Sequence, residues 1–186
     1  MIDGATTPEY FAILLDMAEI DSTTTATATA ITERSRGDVS PRDPRLAGWR
    51  SFLTAYSVIT RQLDDELRDE AGLSLFEYSA LLHLAEADDR RLRMSDLAQG
   101  IVLTRSGVTR LVDRLVRDGL VERGRCADDG RGSEARLTET GLERLREASK
   151  VHLRGIDDYY FAGVSAEDQA VVERAMESVI EGLRKP

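Results

Sequence analysis

From Trp49 to Leu183, apolar residues recur at the three- and four-residue spacing of a helix face, interrupted in a few places by polar turns. Trp49, Phe52, Leu53, Tyr56, Ile59, Leu63 and Leu67 form a long stripe that Gly72 ends as a C-terminal cap. Ser74 with Glu77 is a capping box for a second helix carrying Leu75, Tyr78, Leu81, Leu82 and Ala85, which Asp88 and Asp89 end. A brief extended segment around Leu92 leads to Ser95, expected to cap a short helix reaching Gln99 or Gly100. The next helix begins near Thr104 or Ser106, stops at Asp118-Gly119, and is expected to bury Val108, Leu111, Val112, Leu115 and Val116. Residues 120–121 and 135–137 then flank a charged turn, as the two strands of a hairpin would. Thr138 caps a long fifth helix with Leu142, Leu145, His152, Ile156 and Tyr159 on or near one face. Ser165 and Asp168 open a final helix using Val172, Ala175, Met176, Val179 and Leu183. The fold class is therefore mainly α (α+β). Two helices at each end bracket a helix–turn–helix with a β-wing, and the terminal helices are apolar enough to call for packing between two chains.

Residues 1–45 depart from this pattern. Tyr10, Phe11, Ile13, Leu14, Leu15, Met17 and Ile20 predict a short helix or a tail with residual helicity. The Thr/Ala tract at 22–32 and the breakers Pro41 and Pro44 predict a flexible linker.

The helix expected over residues 104–118 has two chemistries. Opposite its apolar stripe stand Ser106, Thr109, Arg110, Arg114 and Arg117, a face suited to the donor and acceptor edges of a DNA major groove. Composition alone speaks against nucleic acid, because the chain carries a net charge of −9. The distribution of that charge points the other way. Residues 90–136 hold 11 Arg against 7 acidic residues, a surplus of four positive charges, and the rest of the chain carries −13. No apolar run approaches the roughly 18–20 residues that span a bilayer, so no membrane partner is expected. The first basic residue is Arg34, unlike a signal peptide or transit peptide, and Cys126 is the sole cysteine; a reducing cytoplasm is the expected location.

Two stretches resemble the MarR family of winged helix–turn–helix regulators. One is the wing pattern Asp129-Gly130-Arg131, then GSEAR, then Leu137-Thr138; the other is TRSGVTRLVDRL followed by DGLVER. The resemblance runs from about Trp49 to Leu183. It implies an N-terminal extension at 1–45 and a MarR-type domain at 46–186, with a winged core at about 74–137 and dimerisation helices at about 46–71 and 138–184. It further implies a cytoplasmic homodimer on a pseudopalindromic double-stranded operator, with half-sites roughly 34–36 Å apart. Such a dimer represses nearby genes until a small-molecule effector, aromatic or anionic, releases it.

The residues expected at DNA are Thr104, Arg105, Ser106, Thr109, Arg110, Arg114, Arg131 and Ser133. Arg110 would meet a guanine edge or a phosphate, and Arg105 and Ser133 a phosphate. Ser106 and Thr109 suit phosphates or a thymine methyl, and Arg131 a narrow minor groove. Asp129 would brace the wing, and Arg117 would pair with Asp113 one turn away. The plain alternative is a solvated helix face and a charged surface hairpin. Trp49, Phe52, Tyr56 and Tyr78 read chiefly as core aromatics; with His152 they are also the candidate walls of an effector cleft. Cys126 reads as a passenger thiol, with oxidation sensing as the alternative. His83 and His152 are too scattered for a metal site, and neither a metal nor a cofactor is expected. Neither a glycine-rich nucleotide loop nor a nucleophile elbow is present, so an enzyme is not expected. The remaining competitor is a winged-helix module for protein contacts without operator specificity.

Overall fold

The structure is a computed structural model that describes residues 42–44, 46–125 and 133–184. The chain divides into two units, residues 1–54 and 55–186. In the first, the N–H groups of Leu46 and Ala47 donate to the carbonyls of Asp43 and Pro44, both at 3.0 Å, and so begin helix α1 (Leu46–Glu66). Trp49 and Phe52 stack there with ring centroids 5.8 Å apart.

In the second unit α1 continues into a single π-helical turn, Leu67–Ala71, and ends at Gly72. Gly72 takes φ +65°, where a Cβ would be strained, and the Leu73 N–H closes back onto the Leu67 carbonyl. The predicted capping box is complete. Ser74 Oγ accepts from the Glu77 N–H, and the Glu77 carboxylate accepts from the Ser74 N–H, starting α2 (Leu75–Glu86). Strand β1 (Arg91–Arg93) leads to α3 (Met94–Gly100), then α4 (Arg105–Arg117). Strands β2 (Val121–Arg125) and β3 (Ser133–Leu137) follow, then α5 (Glu139–Tyr159) and α6 (Ala166–Arg184). The fold is mainly helical with a three-stranded antiparallel sheet in the order β1-β3-β2.

The core of this unit draws on every one of these elements except α6, in which no residue is buried. Leu67, Leu81, Leu84, Leu97, Val108, Val112, Leu115 and Val121 are its largest fully buried side chains. Thr138 joins several parts of it at once. Its hydroxyl caps α5 by accepting from the Gly141 N–H at 2.9 Å, and it donates to the Gly119 carbonyl at 2.8 Å, so the end of α4 is tied to the start of α5. Gly141 is required for that closeness, since a Cβ there would lie 2.1 Å from the Leu120 carbonyl oxygen.

Four expectations need correction. Val116 is 37% exposed, because the apolar stripe of α4 is completed by Leu115 and position 116 has turned out of it. The short helix starts after Arg93 rather than Ser95, whose hydroxyl instead donates to the Asp96 carboxylate at 3.0 Å. Trp49, Phe52 and Tyr56 are not core aromatics; their exposures are 56%, 43% and 61%. Arg117 does not pair with the Asp113 carboxylate, which is taken by Arg123 at 3.1 Å; its Nε donates to the Asp113 backbone carbonyl at 3.4 Å. Tyr78 is a core aromatic as expected, 2% exposed and 4.5 Å from the ring of His152.

Two outcomes test this packing. Gly141→Ala is expected to cost about 3 kcal/mol in denaturant unfolding, since backbone rather than a flexible side chain blocks the new methyl. The second concerns His152, which burial pushes down to a pKa of about 4 and whose Nδ1 has no hydrogen-bond partner among the described residues. Its native pKa lies below the unfolded value of 6.5, so between those values the unfolded chain takes up a proton that the native chain does not. Stability is therefore fully present above pH 6.5 and falls on acidification by on the order of 3 kcal/mol toward pH 4. His152→Leu should flatten that slope in urea titrations across the window.

Candidate nucleic-acid interface

The candidate interface is built on α4. Thr104 holds its first turn, accepting from the Gly107 N–H at 3.1 Å, and Val108, Leu111, Val112 and Leu115 are buried. With that stripe buried, Arg105, Ser106, Thr109, Arg110, Asp113, Arg114 and Arg117 stand exposed on the rest of the helix. The Thr109 hydroxyl donates to the Arg105 carbonyl at 2.8 Å, leaving its methyl and oxygen at the surface. The hydroxyls of Thr104 and Ser106 lie 3.2 Å apart.

The arginines of this region divide into two groups. Arg105 and Arg110 have no ion pair among the described residues and lie exposed on the first half of α4. Those further along are engaged within the protein. Arg114 Nε donates to Glu77 Oε1 at 2.8 Å. Arg123 on β2 pairs with Asp113 at 3.1 Å and also donates to the Thr109 carbonyl at 3.3 Å. A set of free cations at the helix start and a set of fixed ones behind it suits a surface that must present charge while staying rigid.

Beside Arg105 the surface is concave. A groove of about 460 Å³ is lined by Arg93, Met94, Ser95, Arg105, Val108, Thr109 and Ser133. Pairing of β1 with β3 sets Arg93 opposite Glu134, and so brings the start of α3 next to Ser133. The structure thus brings together three of the expected residues in this groove, Arg105, Thr109 and Ser133, while Ser106, Arg110 and Arg114 stand on the same helix outside it. It adds Arg93 and Ser95, which the sequence pattern assigns to an extended segment and a cap. The alternation of polar and apolar residues at 91–95 carries no sign that this segment pairs with a strand some forty residues later. Asp129 and Arg131, expected at the wing, lie outside the described residues, as does Cys126.

The candidate effector residues are dispersed. Trp49 and Phe52 belong to the first unit. Tyr78 and His152 are buried against each other in the core. Tyr56 alone of the five lines a second cavity, of about 610 Å³, with Thr60, Arg61, Asp64, Arg68, Leu75, Phe76, Ser79, His83 and residues 100–102. Asp64 stands in its wall and accepts from Arg68 Nε at 2.8 Å and from the Leu75 N–H at 2.7 Å. Burial works to raise the Asp64 pKa, but these hydrogen bonds and the Arg68 charge outweigh it and hold the carboxyl below its ordinary value. Among the described residues no cluster of three or more His, Cys, Asp or Glu side chains could hold a metal ion, and no helix is long and apolar enough to cross a membrane.

Known proteins share this arrangement. The MarR family model matches residues 71–132, which run from the end of α1 into the wing. The chain is similar to a MarR family transcriptional regulator of Streptomyces coelicolor, Sco3205, solved in complex with DNA. The TM-score is 0.74 and the identity 33%, over 81% of this chain and 94% of that one. AbsC, a second MarR family regulator of Streptomyces coelicolor, matches with TM-score 0.71 and 30% identity over 80% of this chain and all of that one. The HTH-type transcriptional repressor YetL of Bacillus subtilis (strain 168) is 35% identical over 85 residues, covering 46% of this chain and 51% of that protein. The chain spans about half the length of the curated relatives it matches. Those relatives are named as transcriptional regulators rather than enzymes.

Proposed function

The chain belongs to the MarR family, and on that premise we propose that it is a homodimeric, sequence-specific DNA-binding repressor of nearby genes that a small-molecule effector releases. The observation that carries the reading is the outer face of α4, with Arg105 and Arg110 unpaired among the described residues beside a groove floored by Arg93, Ser95, Thr109 and Ser133. A module for protein contacts would place apolar anchors there instead. In this reading α4 enters the major groove, where Arg110 reads a guanine edge and Ser106 and Thr109 meet a phosphate or thymine methyl. Arg93, Thr104, Arg105 and Ser133 hold phosphates, and the wing's Arg131, braced by Asp129, enters the minor groove.

Dimer formation is supported by α6, in which no residue is buried. Val172, Met176, Val179 and Leu183 follow the spacing of a single stripe, and their exposures run from 37% to 81%. A soluble helix does not keep such a face in water without a partner. The residues 46–71 and 138–184 are accordingly assigned to dimerisation and 74–137 to DNA. The 610 Å³ cavity is in the size range of small-molecule sites, and its aromatic walls and arginines suit an aromatic or anionic effector. A cytoplasmic location follows from the DNA partner.

The test is retardation of a duplex that the protein itself enriches from a random library, measured across a salt series. Binding that selects one sequence and weakens steeply with salt supports the reading. Equal affinity for all duplexes, or none, rejects it. Arg110→Ala should lose roughly 1–3 kcal/mol of binding and relax selectivity at one base pair. Val179→Asp should leave the single chain folded, because that side chain is already 56% exposed, yet shift the protein from dimer to monomer in light scattering.

A further inference from the structure

We infer that Arg114 is not a DNA contact but a positioning residue, which fixes the seat of the recognition helix by way of the N-terminal cap of α2. Resting on the DNA-binding reading, the inference starts from the Glu77 carboxylate. Its Oε2 accepts from the Ser74 N–H and from the Ser74 hydroxyl, both at 2.8 Å, and its Oε1 accepts from Arg114 Nε at 2.8 Å. The Glu77 side chain is only 13% exposed. A carboxylate so far removed from water, with both oxygens occupied, is costly to leave unpaired, which makes release of Arg114 to a phosphate unfavourable. The same cap is held from the other side. Asp64 on α1 accepts from the Leu75 N–H at 2.7 Å, one residue into α2. A short run of hydrogen bonds thus joins the Asp64 wall of the cavity, the first turn of α2 and the last turn of α4.

Position supports this assignment. Arg105 and Arg110 lie in the first half of α4, where a recognition helix places its base-reading residues, whereas Arg114 lies in its last turn. Its Nε is turned across to Glu77 on α2, while the side chain as a whole stays 46% exposed. A lysine, with a mobile point charge, would not fix the angle between the two helices as a planar guanidinium hydrogen-bonded through Nε does.

The two readings of Arg114 differ in the sign of one substitution. Were Arg114 a phosphate contact for which Glu77 competes, Glu77→Gln would free it, remove a negative charge, and tighten binding. As a positioning pair, Glu77→Gln loses the ion pair while glutamine still serves the capping box, and binding weakens.

The experiment measures affinity for the library-selected duplex across a salt series for the wild type, Glu77→Gln, Arg114→Gln and the double variant. The inference expects each single variant to weaken binding roughly tenfold, with the double variant no weaker than either, as for two members of one interaction. The salt slope should stay unchanged in all of them. A slope reduced by about 0.9 in Arg114→Gln would make it a phosphate contact and overturn the inference. So would tighter or unchanged binding by Glu77→Gln, or additive losses in the double variant. Should Glu77→Gln fail to fold, Arg114→Gln leaves the cap untouched and decides the matter through its salt slope. A wild-type protein that enriches no duplex rejects the DNA-binding reading itself, which separates that failure from this one.

Discussion

The burial of four side chains on one helix governs what this protein can present to a partner. Val108, Leu111, Val112 and Leu115 are 0–2% exposed, each contributing roughly 1.5–3 kcal/mol by leaving water. Rotating α4 by even one residue, about 100° of helix, would expose that stripe and bury arginines in its place. The helix therefore has a single seat. At its N-terminus Thr104 closes the first turn, and at its C-terminus the Leu120 N–H returns to the Leu115 carbonyl at 2.9 Å. Thr138 and Gly141 then hold that end against α5, so a surface helix is fixed at both ends and along its length.

Rigidity of this kind gives charge a direction. A chain of net −9 repels DNA on average, and what counts is where cations escape their acidic neighbours. Asp113 and Glu77 occupy Arg123 and Arg114, leaving Arg105 and Arg110 for an outside partner. Asp113 within the basic island and Glu77 outside it thus act as internal struts, while Arg105 and Arg110 stand on the first half of α4 and Arg93 joins Arg105 in the groove beside it. Binding energy at such a surface is spared the ordering of mobile long side chains behind the contact, since those are ordered already.

How far the sequence revealed this depended on how local each signal was. The caps at Ser74, Thr138 and Ser165, and the αL end at Gly72, are written within a few residues and are found where expected, and of the two starts open for α4 the cap is Thr104. The inner stripe of α4 was equally plain from its period. What was hidden required a second element. Arg93 enters the groove through the pairing of β1 with β3. Arg114 turns from a face residue into a strut only because α2 places Glu77 37 positions earlier in the chain beside it. The aromatic stripe at Trp49, Phe52 and Tyr56 looked like core because apolar spacing reports that a face seeks a partner, without saying that the partner lies in the same unit. Polar and apolar signals failed in the same way: both identify a surface that will be covered, and neither identifies the cover.

The cavity in this unit and the proposed DNA-facing helix share a wall. Residues 100–102 line the cavity, and 101–102 form the turn that delivers the chain from α3 to the Thr104 cap. Within it Val102 takes φ +54°, a left-handed conformation that a β-branched side chain adopts only under strain. Holding the turn in that state costs on the order of 1–3 kcal/mol that its surroundings must offset, so what it packs against bears directly on its conformation. Asp64 gives the cavity a second link, through the Leu75 N–H to the helix that carries Glu77. An occupant need not reach α4 to be sensed there; it needs only to bind the two arrangements of this turn or cap unequally. Linkage then acts in both directions, so DNA that holds α4 in its seat must change the affinity of the cavity by the same factor. In the proposed reading, a cavity set against the strained approach to α4 would couple the two sites through a few residues of backbone, without requiring the core beneath to move.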